Sequence, residues 1–353
     1  MHCTTYIHKN QLEYHFTSEA DIFEVCAEKD RIGLEYLFRV LYHFEQMQPV
    51  PGQFRYCITN DLRELPEYGP DVVVLLMWDE WCRIPRYAHR VGHVLSTYGF
   101  EHFSYVSRPV FSMYNVLKFF KSLWIEYNRL PYTLHFYLHN RPADRHRRLH
   151  PVPLGYYKHE KLPIVPIENR AVDVHFAGSI YADASKTQNR VARFFKNTLT
   201  SPRNYARRKL VESLTAVQRK FPEFNIVNRF LAQFGAGLSR AEYSAELGNT
   251  KICLIPRGSS LDTYRLCEAM RSGCVLICDR LPERWCYDGI PALFVDDWSE
   301  LENVLVPLLR DPARLRQLHE QTLAWWHDCC SPAAVAAHLQ AVIAPAEAEL
   351  AVG

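Results

Sequence analysis

The stretch "IPRGSSLDTYRLCEAMRSGCVLICDRLP", Ile255 to Pro282, decides how the rest of the chain is parsed. The apolar run "KICLIP" (Lys251 to Pro256) reads as a strand that enters a small-residue turn, Arg257 to Ser260. "DTYRLCEAMRS" has a helical pattern, Gly273 closes it, and "CVLIC" is a second strand ending at Asp279. Strand, turn, helix and strand in that order form the repeating unit of a parallel α/β sheet. The turn lies at the carboxyl end of a strand and at a helix N-terminus. Gly258 lets the backbone turn tightly, Ser259, Ser260 and Thr263 supply hydroxyls, and the first helical N–H groups are unpaired donors. Together they can form an anion site. Arg265 adds a bidentate charge suited to a diphosphate, and Glu268, on the same helix face, offers a carboxylate to the vicinal hydroxyls of a ribose. On spacing alone the same residues also read as a capped helix, with Asp262 as N-cap, followed by a surface Arg–Glu pair.

The alternation continues on both sides. Downstream of about residue 170 come a "VDVHFAG" strand, helices from about Lys186 to Lys220, an "FNIVNRF" strand and a "SRAEYSAELGNT" helix. Beyond the quoted stretch lie an "ALFV" strand, a "SELENVLVPLLRD" helix and helical sequence from Pro312 to Ala344. In the N-terminal half the runs "FRYCI", "DVVVLLMW", "HFSYV" and "YTLHFYL" read as strands, with "IGLEYLFRVLYHFEQM" and "MYNVLKFFKSLWIEY" as helices between them. The proline-rich, charged segment Arg141 to Asp173 separates two α/β domains, residues 1–155 and 156–353, with the last helices able to pack back on the first domain.

Composition sets bounds on function. The 353 residues carry a formal charge of +2 and are 48% hydrophobic, which allows two buried cores and argues against a polyelectrolyte role. The eleven cysteines include no C-x-x-C pair and mostly sit in apolar runs, as reduced, buried thiols of a cytoplasmic protein would. No apolar leader follows Met1, and no run approaches a membrane span.

"ICLIPRGSSLDTYRLCEAMRSGCVLICD" resembles the C-terminal signature of exostosin-like glycosyltransferases, a group that includes heparan-sulfate polymerase domains and the ribitol xylosyltransferase. "PVPLGYYK" followed by "ENRAVDVHFAGSI" resembles that family's entry into its donor domain, and "LLMWDEWC" resembles an Asp–Glu pair in the acceptor half of bacterial members. The resemblance covers roughly residues 150–300. It implies the GT-B fold, two Rossmann-like domains facing across a cleft, and transfer of a sugar from a nucleotide diphosphate donor, expected to be a UDP-sugar. It makes Arg265 a diphosphate ligand, Glu268 a ribose or sugar ligand, and Gly178 with Ser179 the close-approach loop under the donor. The donor set is therefore Gly178, Ser179, Arg257, Gly258, Ser259, Ser260, Asp262, Thr263, Arg265 and Glu268. The strand after Gly273-Cys274 lacks the proline usual in the family.

Asp79 and Glu80 follow "DVVVLLMW" at a strand's carboxyl end, where one of them can take the acceptor proton in an inverting transfer; a helix cap or a solvated loop pair has the same appearance. His135 and His139 fall on one face of either a strand or a helix, with no third metal ligand apparent, and His139 is a second candidate base. With no Asp-x-Asp motif, neither metal nor cofactor is expected; the helix dipole and Arg265 would neutralise the leaving diphosphate. The basic runs at Arg141, Arg145, Arg147 and Arg148 and at Arg203, Arg207, Arg208 and Lys209 read first as solvated faces. Peripheral docking to anionic lipid at the inner face of a membrane, or to an anionic glycan, comes second; no nucleic-acid module is apparent. The acceptor class is a glycan or lipid-linked glycan. A nucleotide-sugar epimerase and a non-catalytic nucleotide-sugar- or glycan-binding protein remain alternatives.

Overall fold

The computed structural model describes residues 1–27, 32–102, 112–140, 147–157, 159–179, 201–230 and 238–351. The expected "HFSYV" strand, apart from its first residue, and the expected helix start near Lys186 lie outside these residues. The chain forms two compact units, Met1–His102 with Trp124–Tyr157 and His327–Gly353, and Phe103–Leu123 with Lys158–Trp326.

The first unit is built on β1 (His2–Ile7), β2 (Asn10–His15), β3 (Arg55–Thr59), β4 (Gly69–Leu76), β5 (Val91–Ser96) and β6 (Leu149–Pro151), in the order β2-β1-β3-β4-β5-β6. The β1–β2 hairpin is antiparallel and every other pairing is parallel. β3 and β4 are the expected strands, and the inner part of β4, Val72 to Leu76, is buried throughout. β5 escapes the sequence pattern because His93 and Ser96 interrupt its apolar run, yet both are buried. His93 Nδ1 meets His150 Nε2 of β6 at 3.2 Å, and burial pushes His93 down to about 4 and His150 to about 3, so the pair sits neutral in the core. α1 (Glu19–Ala27) and α2 (Glu35–Gln46) follow the hairpin, and α2 buries Tyr36, Leu37, Phe38, Val40, Leu41 and Phe44. The C-terminal helix, Pro332–Ala351, packs against α2; the Tyr36 hydroxyl donates to the Cys330 carbonyl at 2.7 Å.

α3 (Met113–His139) corrects an expectation. "YTLHFYL" is not a strand: the helix that begins at Met113 runs through Pro131 to His139. Proline removes one backbone hydrogen bond, and the helix is held on both sides of it by contacts of its buried face. Phe136 is in the core, and Arg129 donates to the carbonyls of Phe100 at 2.5 Å and Cys82 at 3.2 Å.

The second unit holds β7 (Val172–Gly178), β8 (Ile226–Phe230), β9 (Thr250–Ile255), β10 (Val275–Cys278) and β11 (Ala292–Phe294), all parallel, in the order β11-β10-β9-β7-β8. Its helices are α4 (Pro202–Lys220), α5 (Arg240–Gly248), α6 (Tyr264–Arg271), α7 (Leu301–Leu309) and α8 (Pro312–Trp325). Helix starts follow local chemistry: Ser201 caps α4 with Pro202 behind it, and Ser239 and Glu242 form a capping box on α5. Val174 and Phe176, Ile252 and Leu254, and Val275 and Ile277 form one core with the inner faces of α4, α7 and α8. Read from the β8 edge, the strand order reverses between β7 and β9. That is the switch point at which open α/β sheets take up ligands beyond the strands' carboxyl ends. The fold class is α/β, with two sheets that are parallel apart from the hairpin.

Gly273 ends α6 at φ +68°, and a Cβ there would stand 2.8 Å from His319 and 2.9 Å from Leu323 of α8. Gly273→Ala therefore combines left-handed strain with a clash. A loss of about 2 kcal/mol or more is expected as a lowered urea midpoint, with far-UV circular dichroism unchanged.

Candidate functional site

The carboxyl ends of β7 and β9 carry Gly178–Ser179 and Arg257–Ser260, so the switch point falls on the residues singled out in the sequence. Four arginines gather there. Arg257, only 6% exposed, donates its backbone N–H to Asp279 Oδ2 at 2.8 Å. Arg207 of α4, 7% exposed, donates to the carbonyls of Ser179 at 2.5 Å and Arg257 at 3.3 Å. Arg203 donates to the Ser179 hydroxyl at 2.7 Å. Arg265 lies over the Phe176 ring, 5.5 Å from its centre, and a Cβ on Gly178 would stand 3.3 Å from Arg265 Nη2 and 3.4 Å from Arg207 Nη1. Both guanidinia thus pack close against the backbone at the strand end.

The charges are poorly balanced. Burial, followed by the charges of Arg203 and Arg265, holds the Arg207 guanidinium well below its usual range. Asp279 is the nearby acid, and it already accepts from the Tyr114 hydroxyl at 2.6 Å and Trp298 Nε1 at 2.9 Å as well as from Arg257. Arg257 Nε, Arg265 Nε and Thr263 Oγ1 are buried and have no hydrogen-bond partner among the described residues. Buried donors are nearly always paired in native proteins. Orphaned donors in a cationic cluster, beside the N-terminus of α6, suit an anion.

Lys118 of α3 belongs to the same field. Burial first, and Arg257 second, push its ammonium down to about 8. The sign follows from the folded value lying below the ordinary 10.5. The native state favours neutral Lys118, so the unliganded protein gains stability as pH rises through about 8 towards 10.5 and loses it on the way back. An anion in the cluster needs the charged form, so affinity changes in the opposite direction. Nucleoside diphosphate affinity should fall severalfold from pH 7 to 9 by calorimetry, and Lys118→Met should flatten the profile.

Other expectations are altered by the geometry. Asp262 is not the N-cap: Thr263 precedes the first turn of α6, and Asp262 is buried in an ion pair with Arg284 at 2.6 Å. Gly258 lies outside the left-handed region, and a methyl there would meet Thr263 at an ordinary 3.4 Å, so tight turning does not require glycine. Close approach of a ligand is the remaining reason for its small size. Ser259 and Ser260 are half-buried, with no protein partner for their hydroxyls among the described residues. Glu268 is not a surface residue paired with Arg265: it is buried and accepts from the Tyr243 hydroxyl of α5 at 2.9 Å. The "RNYARRK" run is a solvated face only at Arg208 and Lys209, which pair with Glu212.

In the first unit, Asp79 and Glu80 sit where expected, beyond β4, on a loop with Trp78 and Cys82 at φ +63° and +53°. Non-glycine residues held there mark a backbone fixed by its surroundings. The Asp79 carboxylate is buried and both oxygens are engaged: Oδ1 by Arg83 Nε at 2.8 Å and Nη2 at 2.6 Å, Oδ2 by the Arg83 backbone N–H at 2.6 Å. Burial raises its pKa, with Arg83 opposing. Glu80 is half-buried on the turn. His135 and His139 stack at 4.1 Å between ring centres, and His89 stands 5.6 Å and 5.1 Å from them. Sequence spacing did not reveal that third ring. Among the described residues no group of three or more His, Cys, Asp or Glu is arranged to hold a metal ion. The eleven cysteines are all free, and Cys329 alone is not buried.

No protein-family model matches the chain, and no curated protein sequence does. Solved structures similar to it include a chain of a GtfA/B complex, with 12% identity, 87% of this chain and 60% of that chain covered and a TM-score of 0.41. An alpha-glucosyltransferase in complex with UDP-glucose and DNA containing an abasic site shares 9% identity over 89% of this chain and 84% of that one, with a TM-score of 0.41. The glycosyltransferase SnogD from Streptomyces nogalater shares 13% identity over 93% and 80%, with a TM-score of 0.32. The chain thus spans 60% of the length of the first of these.

Proposed function

We propose that the chain is a glycosyltransferase of the exostosin-like kind, moving a sugar from a UDP-sugar to a hydroxyl of a glycan or lipid-linked glycan with inversion. The observation that carries this reading is the arginine cluster at the β7/β9 switch point, with Arg257 Nε, Arg265 Nε and Thr263 Oγ1 left without partners. In the proposed reaction an acceptor hydroxyl oxygen bonds to the anomeric carbon as the bond to the diphosphate breaks. The electron pair leaves with the diphosphate, and its growing charge is met by Arg265, Arg257, Arg207 and the N–H groups of the α6 start. That density of fixed positive charge performs the neutralisation that a divalent ion would otherwise perform. Glu268, one helical turn along and already held by Tyr243, is the ribose contact. The acceptor proton passes to Glu80, the half-buried carboxylate of the pair, while both Asp79 oxygens are held by Arg83. Asp79 positions the loop.

Calorimetric titration with UDP-, GDP- and CMP-sugars tests the donor, since a ligand that binds only the native state also raises the melting temperature. UDP-sugars should bind, and Glu80→Gln should keep that binding while lowering turnover about a hundredfold. Binding without turnover or donor hydrolysis in the wild type would instead indicate a non-catalytic nucleotide-sugar-binding protein, an outcome made specific by the engagement of Asp79. Failure of every nucleotide to bind would remove the reading altogether.

A further inference from the structure

α3 presents its apolar side outward. In the part belonging to the first unit, from Trp124 on, the exposed positions are almost all apolar or aromatic, and Glu126 and His139 are the exceptions. Trp124 is 56% exposed, Tyr127 71% and Leu138 81%, with Leu130 and Leu134 between them at helical spacing. Trp81 extends the surface, its ring 6.2 Å from that of Trp124, and Tyr127 stacks on Trp124 at 6.1 Å. Single exposed apolar residues are ordinary, but a contiguous face over four turns of one helix marks an interaction surface.

Charge beside the face indicates what it meets. Arg86 lies over the Tyr132 ring at 5.6 Å, and Arg90 lies over the Tyr68 ring at 3.5 Å, next in sequence to His89, whose ring stands 5.1 Å from that of His139 at the end of α3. Arg86 and Arg90 are exposed and have no carboxylate partner among the described residues. The exposed Arg147 lies in the segment leading from α3 into β6. Tryptophan, tyrosine and leucine on one helix side with the exposed Arg86 and Arg90, which have no carboxylate partner among the described residues, at its margin is the composition of a helix that lies in a lipid interface. Glu126, the exposed acid of this face, is already paired with Arg129 at 2.6 Å, so a second copy of the face would bring no free carboxylate to meet the arginines at its margin.

We propose that this face of α3, with Trp81 and the arginines at its end, docks the first unit on an anionic lipid surface. The helix lies in the plane of the interface with its aromatic and leucine side chains below the headgroups, and Arg86 and Arg90 meet lipid phosphates. The surface is independent of the sugar-transfer reading, because docking requires neither donor nor turnover.

Flotation of the full chain with vesicles tests it. Vesicles of phosphatidylcholine mixed with phosphatidylglycerol should carry the protein upward, and pure phosphatidylcholine vesicles much less. Leu130→Glu with Leu134→Glu should lower the floated fraction by about tenfold or more. Arg86→Gln with Arg90→Gln should lower partitioning by about fivefold for each charge lost. Should the glutamate pair fail to fold, Leu130→Gln with Leu134→Gln replaces it, with circular dichroism as the control. Absence of flotation, or equal flotation on neutral vesicles, overturns the proposal. So does a dimer in light scattering that Leu134→Glu splits, since the face would then belong to a second copy.

Discussion

Arg265→Leu is expected to melt at a higher temperature than the wild type without ligand and to bind nucleoside diphosphate ten- to a hundredfold more weakly. The two effects have one origin. Arg265 makes no hydrogen bond or ion pair among the described residues, and its charge bears on the buried Arg207 from beside Gly178. Removing it relieves repulsion in the unliganded state, a gain of about 1 kcal/mol at a site kept charged for function. Leucine preserves an apolar contact with Phe176, so the lost cation–π interaction is partly offset. The binding loss corresponds to one bidentate, charge-assisted contact, about 1.5–3 kcal/mol. Calorimetry with UDP and a thermal melt of the same sample measure both. Unchanged affinity would remove Arg265 from the anion site. A lower melting temperature together with lost affinity would make it a structural brace.

The cluster was partly legible in the sequence, and the division has physical causes. β9, α6 and β10 could be placed because strands buried on both faces are continuous apolar runs and Gly273 marks the helix end. Arg257, Arg265 and Thr263 stand within a few residues of that frame, so locating it located them. Arg207 did not stand out because "RNYARRK" gives no indication of which arginine faces the strand ends; only the docking of Leu210, Leu214 and Val217 against the sheet turns Arg207 inward. Tyr114 and Lys118 approach Asp279 and Arg257 across more than a hundred residues of sequence, a distance no local pattern bridges. α3 was divided because Pro131 reads as a break and "YTLHFYL" alternates loosely, whereas Arg129 and Phe136 hold the helix in one piece. β5 was hidden by a polar residue in its run, His93, which burial holds in the neutral form beside His150.

Asp262 separates a ligand contact from a structural one, and its removal should produce a large loss of stability. In sequence it stands between the hydroxyls and Arg265, which placed it among the donor-binding residues. In the structure its side chain is fully enclosed, and Oδ2 is 2.6 Å from Arg284 Nη1, itself 7% exposed. Burial raises the Asp262 pKa, while Arg284 and then Tyr287 oppose the rise. Asp262→Ala removes the carboxylate of a buried ion pair, and removing one member of such a pair costs about 3–5 kcal/mol. Replacing both members, Asp262→Leu with Arg284→Leu, removes the uncompensated charge and should recover most of that loss. The pair joins the turn that leads into α6 to the segment after β10, so its role is to hold the turn that carries Gly258 to Ser260 in place. Where Asp262→Ala is still folded, UDP affinity should stay within a few-fold of the wild type, because no ligand contact has been lost. If Asp262 instead touched the donor, the urea midpoint would stay near the wild-type value and UDP affinity would change. A carboxylate facing a diphosphate would repel it, so that affinity would rise on removal. Urea unfolding and UDP titration of the two variants therefore give opposite patterns for the two roles.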